Sequence, residues 1–157
     1  MEMIRVEVEI EDRKKVEVLE IEGGNLDAIL KAVRALAALE DLHVFERGKE
    51  EPLGHEAKDM KALALHAHRC RKVRVKVQFN HKTQEHEFAP SATVFTVLLW
   101  AVSRKEFGLD ETGKAKANLI LPGADQPLPK DDVIGSLIKH GHCELTLDLT
   151  LKDFTNG

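Results

Sequence analysis

Residues 4–10 (Ile4, Arg5, Val6, Glu7, Val8, Glu9, Ile10) alternate apolar and charged side chains, and residues 73–79 (Val73, Arg74, Val75, Lys76, Val77, Gln78, Phe79) repeat that pattern 69 positions later. Period-two alternation is the signature of a strand with one face in a core and one in water. The segments C-terminal to the two strands are also similar in kind, which points to an internal duplication and therefore to two small units of one architecture.

In the first unit, Asp12, Arg13 and Lys14 form a polar turn, and Val16, Val18 and Ile21 suggest a second, antiparallel strand ending at Gly23 and Gly24. Asn25 is a good helix cap, and Ile29, Leu30, Val33, Leu36 and Ala37 recur at helical spacing, with a stop expected near Leu39. Residues 42–45 read as a short strand, 49–60 as a loop with one helical turn, and 62–68 as a last strand. In the second unit a hairpin turn at 80–83 leads to a strand over 84–88. Pro90 and Ser91 open a helix carrying Val94, Phe95, Leu98, Leu99 and Val102, which closes near Gly108. A third strand is expected over 115–121, a short strand and helical turn over 128–138, and a long final strand through Cys143, Leu145, Leu147, Leu149 and Leu151. These patterns predict an N-terminal domain over 1–69, a short basic linker over 70–72 and a C-terminal domain with its tail over 73–157. The linker has no Gly or Ser, so the two domains are expected to form a rigid pair.

Composition narrows the functional classes. At 43% hydrophobic and 32% charged, the chain is neither disordered nor membrane-embedded in type, and it has no apolar run long enough to span a bilayer. The net charge of -4 argues against nucleic acid as a partner. The charge is uneven: residues 1–69 hold 11 Lys plus Arg against 16 Asp plus Glu, and residues 70–157 hold 12 against 11. Without a signal-peptide pattern or a disulfide framework, a reducing cytoplasm is the expected location. Cys70 reads as a linker thiol without function beside Arg69, Arg71 and Lys72, and Cys143 as a small buried hydrophobe.

The order hairpin, helix, strand, last strand in both halves resembles the ubiquitin β-grasp, so the expected fold class is α+β, two tandem ubiquitin-like domains each with a mixed sheet on one helix. The second half matches over most of its length. Asn118, Leu119, Ile120, Leu121, Pro122 and Gly123 look like ubiquitin's third strand and turn, and Leu128 with residues 131–138 looks like the approach to the last strand. Two such domains in tandem are similar to the interferon-induced two-domain modifier of vertebrates and to the two-domain modifiers of bacterial antiphage operons. That resemblance implies a protein modifier, not an enzyme. The carboxylate of Gly157 would be adenylated, passed between cysteine thiols as a thioester and joined to a target lysine. The partners implied are an activating enzyme, a conjugating enzyme, a deconjugating peptidase and target proteins. Phe154, Thr155 and Asn156 would form the extended tail. The sequence departs from ubiquitin there, with Asn156 in place of the first of the paired glycines and an acidic Asp153. By the same resemblance Ile120 falls in an exposed partner-binding patch, with Thr146 as its neighbour. The rival expectation is a non-covalent scaffold of the same fold.

The remaining motifs read as structural. His66 with His68, and His140 with His142, are spaced to share one side of a strand, but no third ligand is signalled, so solvated surface histidines and no bound metal are expected. No phosphate loop, nucleophile elbow or other catalytic motif occurs, and no cofactor is expected. Asp131 and Asp132 suit a turn or helix start. Phe95 and Trp100 are expected to pack in the core of the second domain.

Overall fold

A computed structural model describes residues 3–13, 15–22, 26–39, 41–53, 62–138 and 142–152. The first alternating segment forms β1 (Met3–Ile10), which pairs antiparallel with β2 (Glu17–Glu22). Helix α1 (Leu26–Ala37) then carries the chain across the sheet to β3 (His43–Glu46) and β4 (Ala62–His68). The second half repeats the plan with β5 (Val73–Phe79), β6 (Lys82–Phe88), α2 (Val94–Val102), a short helix α3 (Glu111–Lys116), β7 (Asn118–Ile120) and β8 (Glu144–Thr150).

The sheets have the orders β2-β1-β4-β3 and β6-β5-β8-β7. In each, the first and last strands are central neighbours and run parallel. Parallel neighbours need a crossover, and here the helix supplies it. The chain is thus two tandem β-grasp domains.

Alternation decides which face of each sheet the helix covers. Ile4, Val6, Val8 and Ile10 point to the α1 side and pack with Ile29, Val33, Val44, Leu65 and Ala67. Val73, Val75, Val77, Leu145, Leu147 and Leu149 likewise meet Val94, Val97, Leu98 and Ala101 of α2. The intervening residues therefore line a second face on each sheet, and the fate of those two faces differs.

Several expectations are corrected. The core side of β2 is Leu19 and Ile21, whereas Val16 and Val18 are exposed, because Val18 pairs with Glu7 on the face away from the helix. Helix α2 starts later than Pro90, with the Thr93 side chain accepting the Thr96 N–H, and it ends at Val102 instead of running to Gly108. Gly108, at φ 64°, closes a separate 3-10 turn over Lys105–Phe107. Most of the expected 115–121 strand is not formed: Asp110 caps α3 by accepting the Gly113 N–H at 2.7 Å, the helix runs on to Lys116, and β7 keeps only three residues. Leu128 is held by one bond, its N–H donating to the Leu119 carbonyl at 2.9 Å, and is not in a strand. Phe95 is exposed, while Trp100 is half-buried against His86 and Phe88 with the Arg104 guanidinium over its ring. The Asn25 cap and the turn within 54–60 lie outside the described residues.

Candidate functional site

The face of the first sheet opposite α1 carries Glu9, Phe45, His66 and His68, with Glu11 just past β1. Four of these five are almost completely buried: Phe45 and His66 show no exposure, and Glu11 and His68 show 4%. The cover comes from the second domain. Gly135, in the 3-10 turn Ile134–Leu137, sits against His66 so closely that a Cβ placed there would lie 2.3 Å from His66 Nε2 and 2.8 Å from the Pro90 carbonyl. Only glycine allows that approach.

Polar bonds surround this contact. Arg47 donates to the Asp131 carbonyl at 2.6 Å, and Gly48 donates its N–H to the Ser91 carbonyl at 2.9 Å. The Ser91 hydroxyl donates to the Lys49 carbonyl, and the Ala89 N–H donates to the Glu50 carboxylate at 2.7 Å. Gly48 holds φ 86°, a turn that aims its N–H outward from the end of β3. Residues 47–50 and 89–91 thereby close one side of the junction.

The histidines expected in solvent are instead at the centre of this junction. His66 Nδ1 lies 2.9 Å from Glu9 Oε1, and because a carboxylate only accepts, that ring nitrogen carries the proton. His68 Nδ1 accepts the Cys70 N–H at 2.9 Å, which leaves the proton of the neutral ring on Nε2. The two rings stack at 5.8 Å, and both Nε2 atoms are buried, that of His66 without a hydrogen-bond partner among the described residues. Burial pushes the His68 pKa from 6.5 down to about 4, helped by His66; Glu11 and the Gly135 backbone act the other way. No group of three or more potential metal ligands occurs among the described residues. His140 lies outside them, and His142 is exposed.

Glu11 and Arg69 form the ionic edge of the same face. The guanidinium donates from Nε at 2.6 Å and from Nη2 at 3.0 Å, and the Arg69 N–H adds a third bond at 3.2 Å. These bonds hold the Glu11 pKa down from 4.5 to about 2, against the upward pull of burial. Asp132 of the second domain is raised, first by burial and then by the negative charges of Asp131 and of Glu9 across the junction.

The cysteines are also reassigned. Cys70 and Cys143 form a disulfide with Cα atoms 5.7 Å apart, so neither is a free thiol. Sequence reading missed the pair because the two residues are 73 positions apart and only the parallel pairing of β5 with β8 brings the segments before them together.

The corresponding face of the second sheet is open. Leu119 is 1% exposed in the core, while Ile120, next on the strand, is half-buried on the opposite face and pairs with Asp148. Thr146, also half-buried, is two residues from Asp148 and on the same face. A shallow groove continues this surface, lined by Gln78, Phe79, His81, Ile120, Asp148 and Leu151. Leu151 and Lys152 leave β8 exposed, and Phe154, Thr155, Asn156 and Gly157 lie outside the described residues.

Comparison with known proteins bears on this second domain. The family model for BilA ubiquitin-like domain 2 matches residues 74–152, half of the chain. The chain belongs to this family. The matched stretch holds every strand and helix of the second domain except the first residue of β5, and so the BilA ubiquitin-like domain 2 is the unit that bears Ile120 and leads to the tail. A solved ubiquitin from Caldiarchaeum subterraneum is similar at 20% identity and a TM-score of 0.40, covering 54% of this chain and 98% of that one. No curated protein matches. Among the described residues, no helix is long and apolar enough to cross a membrane.

Proposed function

We propose that this ubiquitin-like protein is a modifier joined through the carboxylate of Gly157 to lysines of target proteins, in a bacterial antiphage conjugation pathway. The observation that carries the reading is the second domain itself, a member of the BilA ubiquitin-like domain 2 family whose last strand is central and runs out into exposed residues leading toward Gly157. A central strand anchors the base of such a tail, so its end can enter a narrow enzyme channel without unfolding the domain. Glycine suits the terminal position because it has no Cβ to obstruct attack on its carbonyl.

In this reading an activating enzyme, a conjugating enzyme and a deconjugating peptidase supply the chemistry in the cytoplasm, and this chain supplies the surface they recognise. The open face around Ile120 and Thr146 is our choice for that surface. The first domain has the centre of its matching face against the second and contributes bulk and orientation.

The test is to express the tagged protein with its genomic neighbours, purify it under denaturing conditions and digest it with trypsin. Cleavage after Lys152 leaves a five-residue remnant, from Asp153 to Gly157, on any modified lysine. The reading expects that remnant and its loss on deleting Gly157. A set of non-covalent partners unchanged by the deletion would replace conjugation with a scaffold role.

A further inference from the structure

The two halves of the Cys70–Cys143 disulfide are unequally placed. Cys70 is 5% exposed and sits in the linker between β4 and β5, whereas Cys143 is exposed just before β8. The bond caps the start of the central strand pair, where the Arg74 N–H donates to the Cys143 carbonyl at 2.9 Å. The linker residues around Cys70 also hold the domain junction. Arg69 binds Glu11, the Cys70 N–H binds His68, and Lys72 lies 3.7 Å from Glu50. One short segment therefore carries both the covalent tie to the second domain and three polar ties to the first.

Thiol–disulfide exchange requires a thiolate to reach one sulfur along the bond axis while the other leaves. Access favours Cys143 as the sulfur attacked and makes buried Cys70 the leaving group. Arg71 and Lys72, both exposed and within two positions of Cys70, add positive charge that stabilises a departing thiolate and attracts an anionic thiol.

We propose that Cys143 is a site of thiol exchange with low-molecular-weight thiols, and that exchange there unclasps the linker and loosens the docking of the two domains. The incoming thiolate forms a bond to the Cys143 sulfur, the Cys70–Cys143 bond breaks, and its electron pair stays on Cys70, which takes a proton from water. A second thiolate attacks the small-molecule sulfur of the mixed disulfide, releasing the oxidised carrier and leaving Cys143 as a thiol. Two small thiols are oxidised and the protein disulfide is reduced by two electrons. The exposed clasp fits a compartment in which disulfides are transient and not permanent.

The experiment uses the full chain under native conditions with millimolar glutathione, acid quenching, alkylation and peptide mapping, in parallel with amide hydrogen exchange. The proposal expects a glutathione adduct on Cys143 with a free Cys70. On full reduction, exchange at the junction amides of Gly48 and Ala89 should quicken by at least about tenfold while β5 and β8 stay protected. Reoxidation should restore the slow rates. An adduct on Cys70, a disulfide that resists native reduction, or unchanged junction amides would each overturn it. So would loss of protection throughout β5 and β8, since the bond would then be a fold staple and not a clasp.

Discussion

The two domains share a strand order but differ in what lies over the face opposite the helix. In the first domain the part of that face lined by Glu9, Glu11, Phe45, His66 and His68 is covered by the turn around Gly135, while Arg5, Glu7 and Val18 at its other end stay exposed. In the second it carries Ile120, Thr146 and Asp148 and remains partly exposed. A duplicated fold therefore buries the centre of this face in one copy and leaves it accessible in the other. The difference is made by a few side chains and the turn that carries Gly135, with the strand order unchanged.

Substitutions on the covered face should show the contrast most strongly. Phe45→Ala removes a fully buried ring opposite His66 and should cost about 3–5 kcal/mol in urea unfolding. A cost near that of a surface change would mean the face is not packed. Gly135→Ala places a methyl against His66 and the Pro90 carbonyl and should cost about 1–3 kcal/mol. The readout that distinguishes docking from folding is amide exchange, which should rise at Gly48 and Ala89 before the sheets respond. The mirror experiment on the open face is Ile120→Ala, for which less than about 1 kcal/mol is expected. A larger loss would place Ile120 in a packed interface.

The pH dependence sharpens the same comparison. His68 has a folded pKa near 4 against an ordinary 6.5, so the unfolded state binds more protons between those values. The stability conferred by burying the neutral ring is full above pH 6.5 and is lost as the pH falls toward 4. Glu11, lowered from 4.5 to about 2, adds a second loss over that more acidic window. Urea melts across pH should show both, and His68→Gln should flatten the upper one while reducing the lower one only slightly, since the His68 charge also helps to lower Glu11.

Much of the fold was legible because the apolar rhythm at 4–10 and 73–79 forces the central strands, and the helical spacing from Ile29 to Ala37 forces the crossover. The site was less so. Ile120 could be assigned to the face opposite Leu119 by alternation alone, since a strand has only two faces. The junction could not: His66 and His68 look like solvent-facing residues of a strand until a second domain lies over them, and nothing local to Cys70 announces Cys143. Residues 115–116 misled because Ala115 and Lys116 suit helix as well as strand, and the Asp110 cap decided the outcome.

The parallel pairing of β5 and β8 has a mechanical consequence. While the Cys70–Cys143 disulfide is intact, it joins the starts of the two strands and carries a load between them covalently. Once it is reduced, tension applied between the linker, at the start of β5, and a load attached beyond the end of β8 pulls the two strands lengthwise past each other. All the hydrogen bonds between them then share the force at once, and none is peeled first. A cargo dragged from the C-terminal side would meet the stiffest direction of this domain.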